Sequence, residues 1–231
     1  MIKGYLKLAL YDRDGRLLEE RVQEMRSLLD NFIVLLESVF KGVDTRFPPP
    51  EPPKVTLPDG TLYQIPRTLL TPGTVVGWRV DAEAGEILYL RGEPTDWGVI
   101  VGSDDSPNTI TVYRLYAPYP HGKGVGYMNY LSTTITPPYF DGANVRMDIT
   151  RLVLNESDST QVVREVGVMV REYYTWQRFL IAREALASPI SMPPRSMLQV
   201  TITLVAVPAP FTVIYVSDFA VGGETATRSI V

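Results

Sequence analysis

From Thr74 onward the chain is a succession of short β-type runs cut by Gly, Pro, Asn and Asp, and this pattern restricts the fold more than any other feature. The runs cover residues 75–80, 86–90, 97–101, 109–115, 127–135, 144–154, 162–170, 179–182, 197–207 and 211–216. Each such strand can bury only one face cheaply, so a second sheet must cover it. The spacing therefore predicts a mainly β fold, an antiparallel β-sandwich of jelly-roll-like or Ig-like form. Residues 144–154 alternate apolar and polar side chains, so one face meets a core and the other meets solvent or a partner.

The region ahead of these runs reads differently. Asp12-Arg13-Asp14-Gly15 lies between residues 5–11 and 16–20, both β-type, and its Asp-Gly pair predicts a hairpin. Val22, Met25, Leu28, Leu29, Phe32, Ile33, Leu36, Val39 and Phe40 then fall on one helical stripe closed by Lys41-Gly42, which predicts an N-terminal amphipathic helix. Phe47-Pro48-Pro49-Pro50-Glu51-Pro52-Pro53 cannot continue that helix, because proline has no amide hydrogen. It reads as a stiff connector or an arm lying on a neighbour. A second small hairpin is predicted around Pro58-Asp59-Gly60. The expected organisation is a hairpin plus helix over 1–46, a proline-rich connector over 47–73, a sandwich body over 74–216 and a C-terminal tail over 217–231.

Composition removes several functions. The absence of cysteine excludes disulfides, thiolate-bound zinc, iron–sulfur clusters and cysteine nucleophiles. A net charge of −4 supplies no basic field for phosphates, so direct nucleic-acid binding is not expected. Met1 to Lys7 alternates apolar and charged side chains, so no cleavable signal peptide is expected. The most apolar stretch, 32–40, contains Glu37 and falls far short of the roughly 20 residues that cross a bilayer, so no membrane segment is expected. A cationic pool made mostly of Arg, few Asn and Gln, and 19 prolines fit a thermophilic source, although GC-rich coding gives the same Arg bias.

Three segments carry a resemblance. Trp97-Gly98-Val99-Ile100-Val101-Gly102-Ser103 is an opening strand that ends in a Val-Gly-polar turn. Arg164-Glu165-Val166-Gly167-Val168 is a Glu-Val-Gly-aliphatic strand, and residues 179–186, Ser188-Pro189-Ile190 and residues 197–204 form a closing pair of strands. In this order the segments resemble structural proteins of tailed bacteriophages and related archaeal viruses, over roughly residues 97–207. Pro193-Pro194-Arg195-Ser196 departs from the pattern, standing where that group has a glycine-containing turn. The resemblance implies a virion component of head, neck or tail, and it carries no catalytic residue across.

Candidate chemistry has a plainer reading at each position. His121, the only histidine, sits in Pro118-Tyr119-Pro120-His121-Gly122 with no nucleophile-elbow serine, and reads as a loop residue rather than a general base. Asp12-Arg13-Asp14-Gly15 starts like a calcium loop, but the twelfth position is Gln23 instead of a bidentate Glu. Asp104-Asp105-Ser106-Pro107-Asn108 reads as a turn, and Asn155-Glu156-Ser157 as a turn rather than a glycosylation site. Gly122-Lys123-Gly124-Val125-Gly126 lacks the Gly-Lys-Ser/Thr ending of a phosphate loop. Nothing in the sequence brings two carboxylates to glycosidase separation.

The expectation is a non-enzymatic virion subunit with no cofactor and no metal, whose partners are copies of itself and other virion proteins. It is expected to form homo-oligomers, as rings or a lattice, after synthesis in the host cytoplasm. The candidate interface residues are Leu28, Phe32, Leu36, Phe40, Phe47, Trp97, Tyr119 and Tyr127. A carbohydrate-binding or adhesion module using Trp97, Tyr113, Tyr116, Tyr119, Tyr127, Tyr130 and Tyr139 is the alternative.

Overall fold

The computed structural model describes residues 2–26, 28–34, 54–64, 88–89, 98–172, 177–207, 219–221 and 224–226. The protein is mainly β with antiparallel sheets, consistent with a β-sandwich. In sheet I, β1 (Ile2–Tyr11) lies between β2 (Leu17–Met25) and β13 (Met197–Ala206), and β10 (Val145–Leu154) flanks β13. Along the far side of β10 run three two-residue strands, β7 (Asn129–Tyr130), β8 (Thr134–Ile135) and β9 (Tyr139–Phe140). In sheet II, β12 (Arg178–Met192) pairs with β11 (Gln161–Glu172), whose other side carries β5 (Leu88–Tyr89) and β6 (Gly98–Gly102). Two hairpins complete the set: β3 (Lys54–Thr56) with β4 (Leu62–Gln64), and β14 (Phe219–Val221) with β15 (Glu224–Ala226).

Period-2 alternation builds the core. Leu6, Leu8 and Leu10 of β1, Leu198, Val200 and Ile202 of β13, and Ile149 and Val153 of β10 point to one face of sheet I and are buried. They join Val99, Val101, Val163, Val166, Val168, Phe179 and Leu180 of sheet II in one hydrophobic cluster. Burying each such side chain is worth about 1.5–3 kcal/mol relative to leaving it exposed.

The chain crosses between the sheets on both sides. After β2, the Leu29 amide donates to the Ile181 carbonyl (3.1 Å) and Leu28 bridges to Ala182, so this segment lies along β12. On the opposite side Tyr119 donates to Val101 (3.0 Å) and Ser103 to Ala117 (2.9 Å), which covers the edge of β6 before the chain enters β7. At one end, the β10–β11 and β12–β13 links run together around buried Asn155. Its amide nitrogen Nδ2 donates to the carbonyls of Ser159, Met192 and Pro193 at 2.9–3.0 Å. That side chain is committed to the fold, as the turn reading of Asn155-Glu156-Ser157 requires.

Several expectations are corrected. Val22 and Met25, placed on a helical stripe by spacing, belong to β2, because Gly4 to Tyr11 supply a ready strand partner through the Asp-Gly turn. Of the predicted helix only residues 30–34 are helical; Leu28 and Leu29 instead lie extended against β12, and positions 35–42 fall outside the described residues. A boundary at residue 74 does not set the N-terminal hairpin apart, since β1 pairs with β13 from Ile2↔Ala206 to Tyr11↔Met197. Residues 109–115 form turns instead of a strand, and 127–135 break into β7 and β8. The predicted strands 75–80 and 211–216 and the proline-rich segment 47–53 lie outside the described residues.

Candidate interaction surface

Phe32 is 3% exposed and sits in the protein's own core, and Leu28 packs against that core. Neither is a free surface, and the described part of the segment, 28–34, covers its own sandwich rather than a neighbour. Tyr119 is also internal, partly buried with its hydroxyl donating to the Val162 carbonyl at 2.9 Å. Tyr127 is exposed. Leu36, Phe40, Phe47 and Trp97 lie outside the described residues.

The aromatic cluster does not form one platform. Tyr130 is fully buried, donating its hydroxyl to the Tyr119 carbonyl (2.8 Å) and accepting the Val101 amide (3.3 Å). The guanidinium of buried Arg151 lies 4.8 Å from its ring centre and donates to the carbonyls of Leu131 (2.6 Å) and Val99 (2.9 Å). His121 stacks on the same ring, and its Nδ1 accepts the Tyr130 amide at 3.2 Å. Both side chains build the wall of the sandwich.

The acidic turns satisfy their own backbone. Asp12 Oδ1 accepts the amides of Asp14 and Arg16, both at 2.9 Å, and Asp104 Oδ1 accepts that of Ser106 at 2.7 Å. The Ser106 hydrogen bonds hold the Asp104 carboxyl below its ordinary value. Among the described residues, no three His, Asp or Glu side chains gather at metal-binding distance. Gly124 and Gly126 have φ of 99° and 81°, so the Gly122 to Gly126 segment is a left-handed turn pinned by the Gly126 amide to Gln161 (3.0 Å). An open depression of about 320 Å³ lies at the turn end of sheet I, lined by Asp12, Arg13, Asn155, Glu156, Arg195 and Ser196.

Polar groups are buried in quantity between β11, β12 and the loop after β6. Arg183 Nε and Glu165 Oε2 pair at 2.8 Å with exposures of 1% and 0%. Glu165 also accepts the Ala117 amide (3.0 Å), and Arg183 donates to the carbonyls of Ser106 (2.9 Å) and Pro107 (3.3 Å). The pair therefore staples residues 106–117 to sheet II. Gly102 makes this approach possible, because a Cβ there would fall 2.4 Å from Glu165 Oε1 and 2.7 Å from the Ala117 carbonyl. Glu184 is buried beside it and accepts the Arg26 amide (2.8 Å) and the side chains of Asn108 (3.1 Å) and Gln23 (3.3 Å). Burial lifts its carboxyl above the ordinary glutamate range despite these donors.

The surface feature that sequence reasoning missed is an apolar row across sheet I. The registers Ile2↔Ala206, Val145↔Ala206 and Val145↔Phe140 place these four residues side by side on four strands. They share parity with Leu6, Ile202 and Ile149, so the row continues the core face beyond the covered part of the sheet. Yet Ile2, Val145 and Phe140 are 39%, 42% and 66% exposed. The only sequence signal was the apolar Tyr139-Phe140 pair between Pro138 and Asp141, and nothing local reports its register. Compared with models of protein families, with curated proteins and with solved structures, the chain returns no match.

Proposed function

We propose that the chain is a non-enzymatic structural subunit of a virus particle, of head, neck or tail, that works by packing against copies of itself and other virion proteins. The observation that carries the assembly part of this reading is the Ile2, Ala206, Val145, Phe140 row. Apolar side chains aligned across four strands on a core-type face gain from a protein partner, at about 25 cal/mol per Å² buried before the costs of association. The virion assignment rests on the order of the segments from Trp97 to Leu204. The finer fold reading is a jelly roll, supported by nesting: β11 pairs with β12 inside the β10–β13 pair, and both links cross between sheets.

The test is sedimentation and negative-stain imaging of the wild type beside a Phe140→Asp/Val145→Asp variant. Both positions are exposed, so folding should survive. Rings, tubes or shells in the wild type and smaller species in the variant are expected. Unchanged sedimentation of the variant would remove the row from the assembly surface.

One observation favours a carbohydrate-binding reading. Exposed Tyr139 donates to Asp148 (3.3 Å) next to the Arg146–Asp141 ion pair, an aromatic flanked by polar groups. Glycan-array binding lost in Tyr139→Ala would support it over assembly.

A further inference from the structure

We infer that β2 is a self-complementary edge through which two copies of the chain pair antiparallel about a two-fold axis, joining their copies of sheet I. Among the described residues only β1 pairs with β2, so alternate residues of this nine-residue strand present backbone donors and acceptors on its other side. On its outer face Leu18 and Val22 are 47% and 63% exposed. Between and beyond them stand Glu20 and Glu24, which are paired within the chain by Lys7 (2.9 Å) and Lys3 (3.7 Å).

Charged edge strands ordinarily block pairing, so what matters is whether some register reconciles the charges. A two-fold axis normal to the sheet keeps both faces in place only when residues of equal parity meet, with one residue facing its own copy. Centred on Glu20, that pairing sets Glu19 against Arg21 and Leu18, at the bulge of β2, against Val22, each twice. Opposite charges and apolar side chains directly across are the favourable cross-strand combinations. The one like-charge contact, Glu20 with its copy, is offset by Lys7 on each side.

Neighbouring registers fail. Centring on Arg21 opposes two arginines and sets Glu20 against Val22, centring on Glu19 opposes two glutamates, and centring on Val22 opposes Glu20 and Glu24 twice. Within its own chain Arg21 is anchored by the Ser188 carbonyl (2.8 Å) and hydroxyl (2.6 Å) and touches Glu19, which fixes its place on the strand. Choosing a second copy as the occupant rests on the assembly reading above, and the register argument rests on the strand itself.

The chain contains no cysteine, so introduced thiols report without background. Leu18→Cys and Val22→Cys chains are prepared separately, then mixed under mild oxidation. Directly opposed positions lie within disulfide reach, whereas each position and its own copy lie about 13 Å apart, four residues along the strand. The mixture should give a covalent dimer. Each chain alone, and a Leu62→Cys control at an exposed site off sheet I, should not. A mixture that fails to cross-link while light scattering shows oligomers overturns this interface and leaves assembly standing. Equal cross-linking of L18C alone overturns the register, and a strict monomer overturns both readings.

Discussion

Glu165 and Arg183 are both essentially without solvent, and the cost of a buried charge depends on its partner remaining. Arg183→Met should cost about 3–5 kcal/mol, because Glu165 then keeps only backbone donors. Arg183→Met/Glu165→Gln should recover much of that loss in a urea melt, since removing both charges leaves none uncompensated. Gly102→Ala should lose about 1–3 kcal/mol or more by overpacking, as neither the Ala117 carbonyl nor the buried carboxylate can withdraw. Glu184 adds a pH dependence. Its folded carboxyl binds its proton more tightly than the ordinary value of 4.5, so its contribution is full below that value and is lost as pH rises through the raised folded value. The urea midpoint of the wild type minus that of Glu184→Gln should therefore fall as pH rises from about 4.5 toward neutral. These charges do not stand out as a site in the sequence, where Glu165 falls inside the predicted strand 162–170 and the predicted strand 179–182 ends before Arg183 and Glu184.

At the scale of elements, what was legible followed from local pattern. Residues 144–154 alternate cleanly, and they and the predicted strand 197–207 became β10 and β13 almost to the residue. The Asp-Gly turns at Gly15 and Gly60 form both predicted hairpins, each glycine at positive φ. Where charged residues are buried the pattern was misleading: β12 runs from Arg178 to Met192, far past the expected end at Ala182, because Arg183 and Glu184 point into the protein. The apparent strand 109–115 failed for the opposite reason, as Val112 and Leu115 are buried singly from turns. Asn31 shows how the small elements are held. Its side chain bonds the Thr56 amide (2.8 Å) and carbonyl (2.9 Å) and the Leu180 carbonyl (2.9 Å), joining residues 30–34, β3 and β12. Asn31→Ala should cost about 1–3 kcal/mol and raise hydrogen exchange at the Thr56 amide while leaving β10 and β13 protected.

For the whole molecule, pairing between distant segments decided the surface, and no local pattern encodes it. Ile2, Phe140, Val145 and Ala206 are ordinary residues in sequence, and only the β1–β13–β10–β9 registers align them. The same long-range pairing carries the N-terminal strands into the body and leaves β2 as an edge. Of the predicted interface residues with a described position, Leu28, Phe32 and Tyr119 turned inward because the core had room for them. The central claim is that the exposed apolar row on sheet I complements other chains of the same kind. Light scattering on the purified wild-type chain over a wide concentration range tests it most directly. The account predicts a mass that is a multiple of the 25.9 kDa chain and is smaller in Phe140→Asp/Val145→Asp than in the wild type. A mass of 25.9 kDa at every concentration would contradict it.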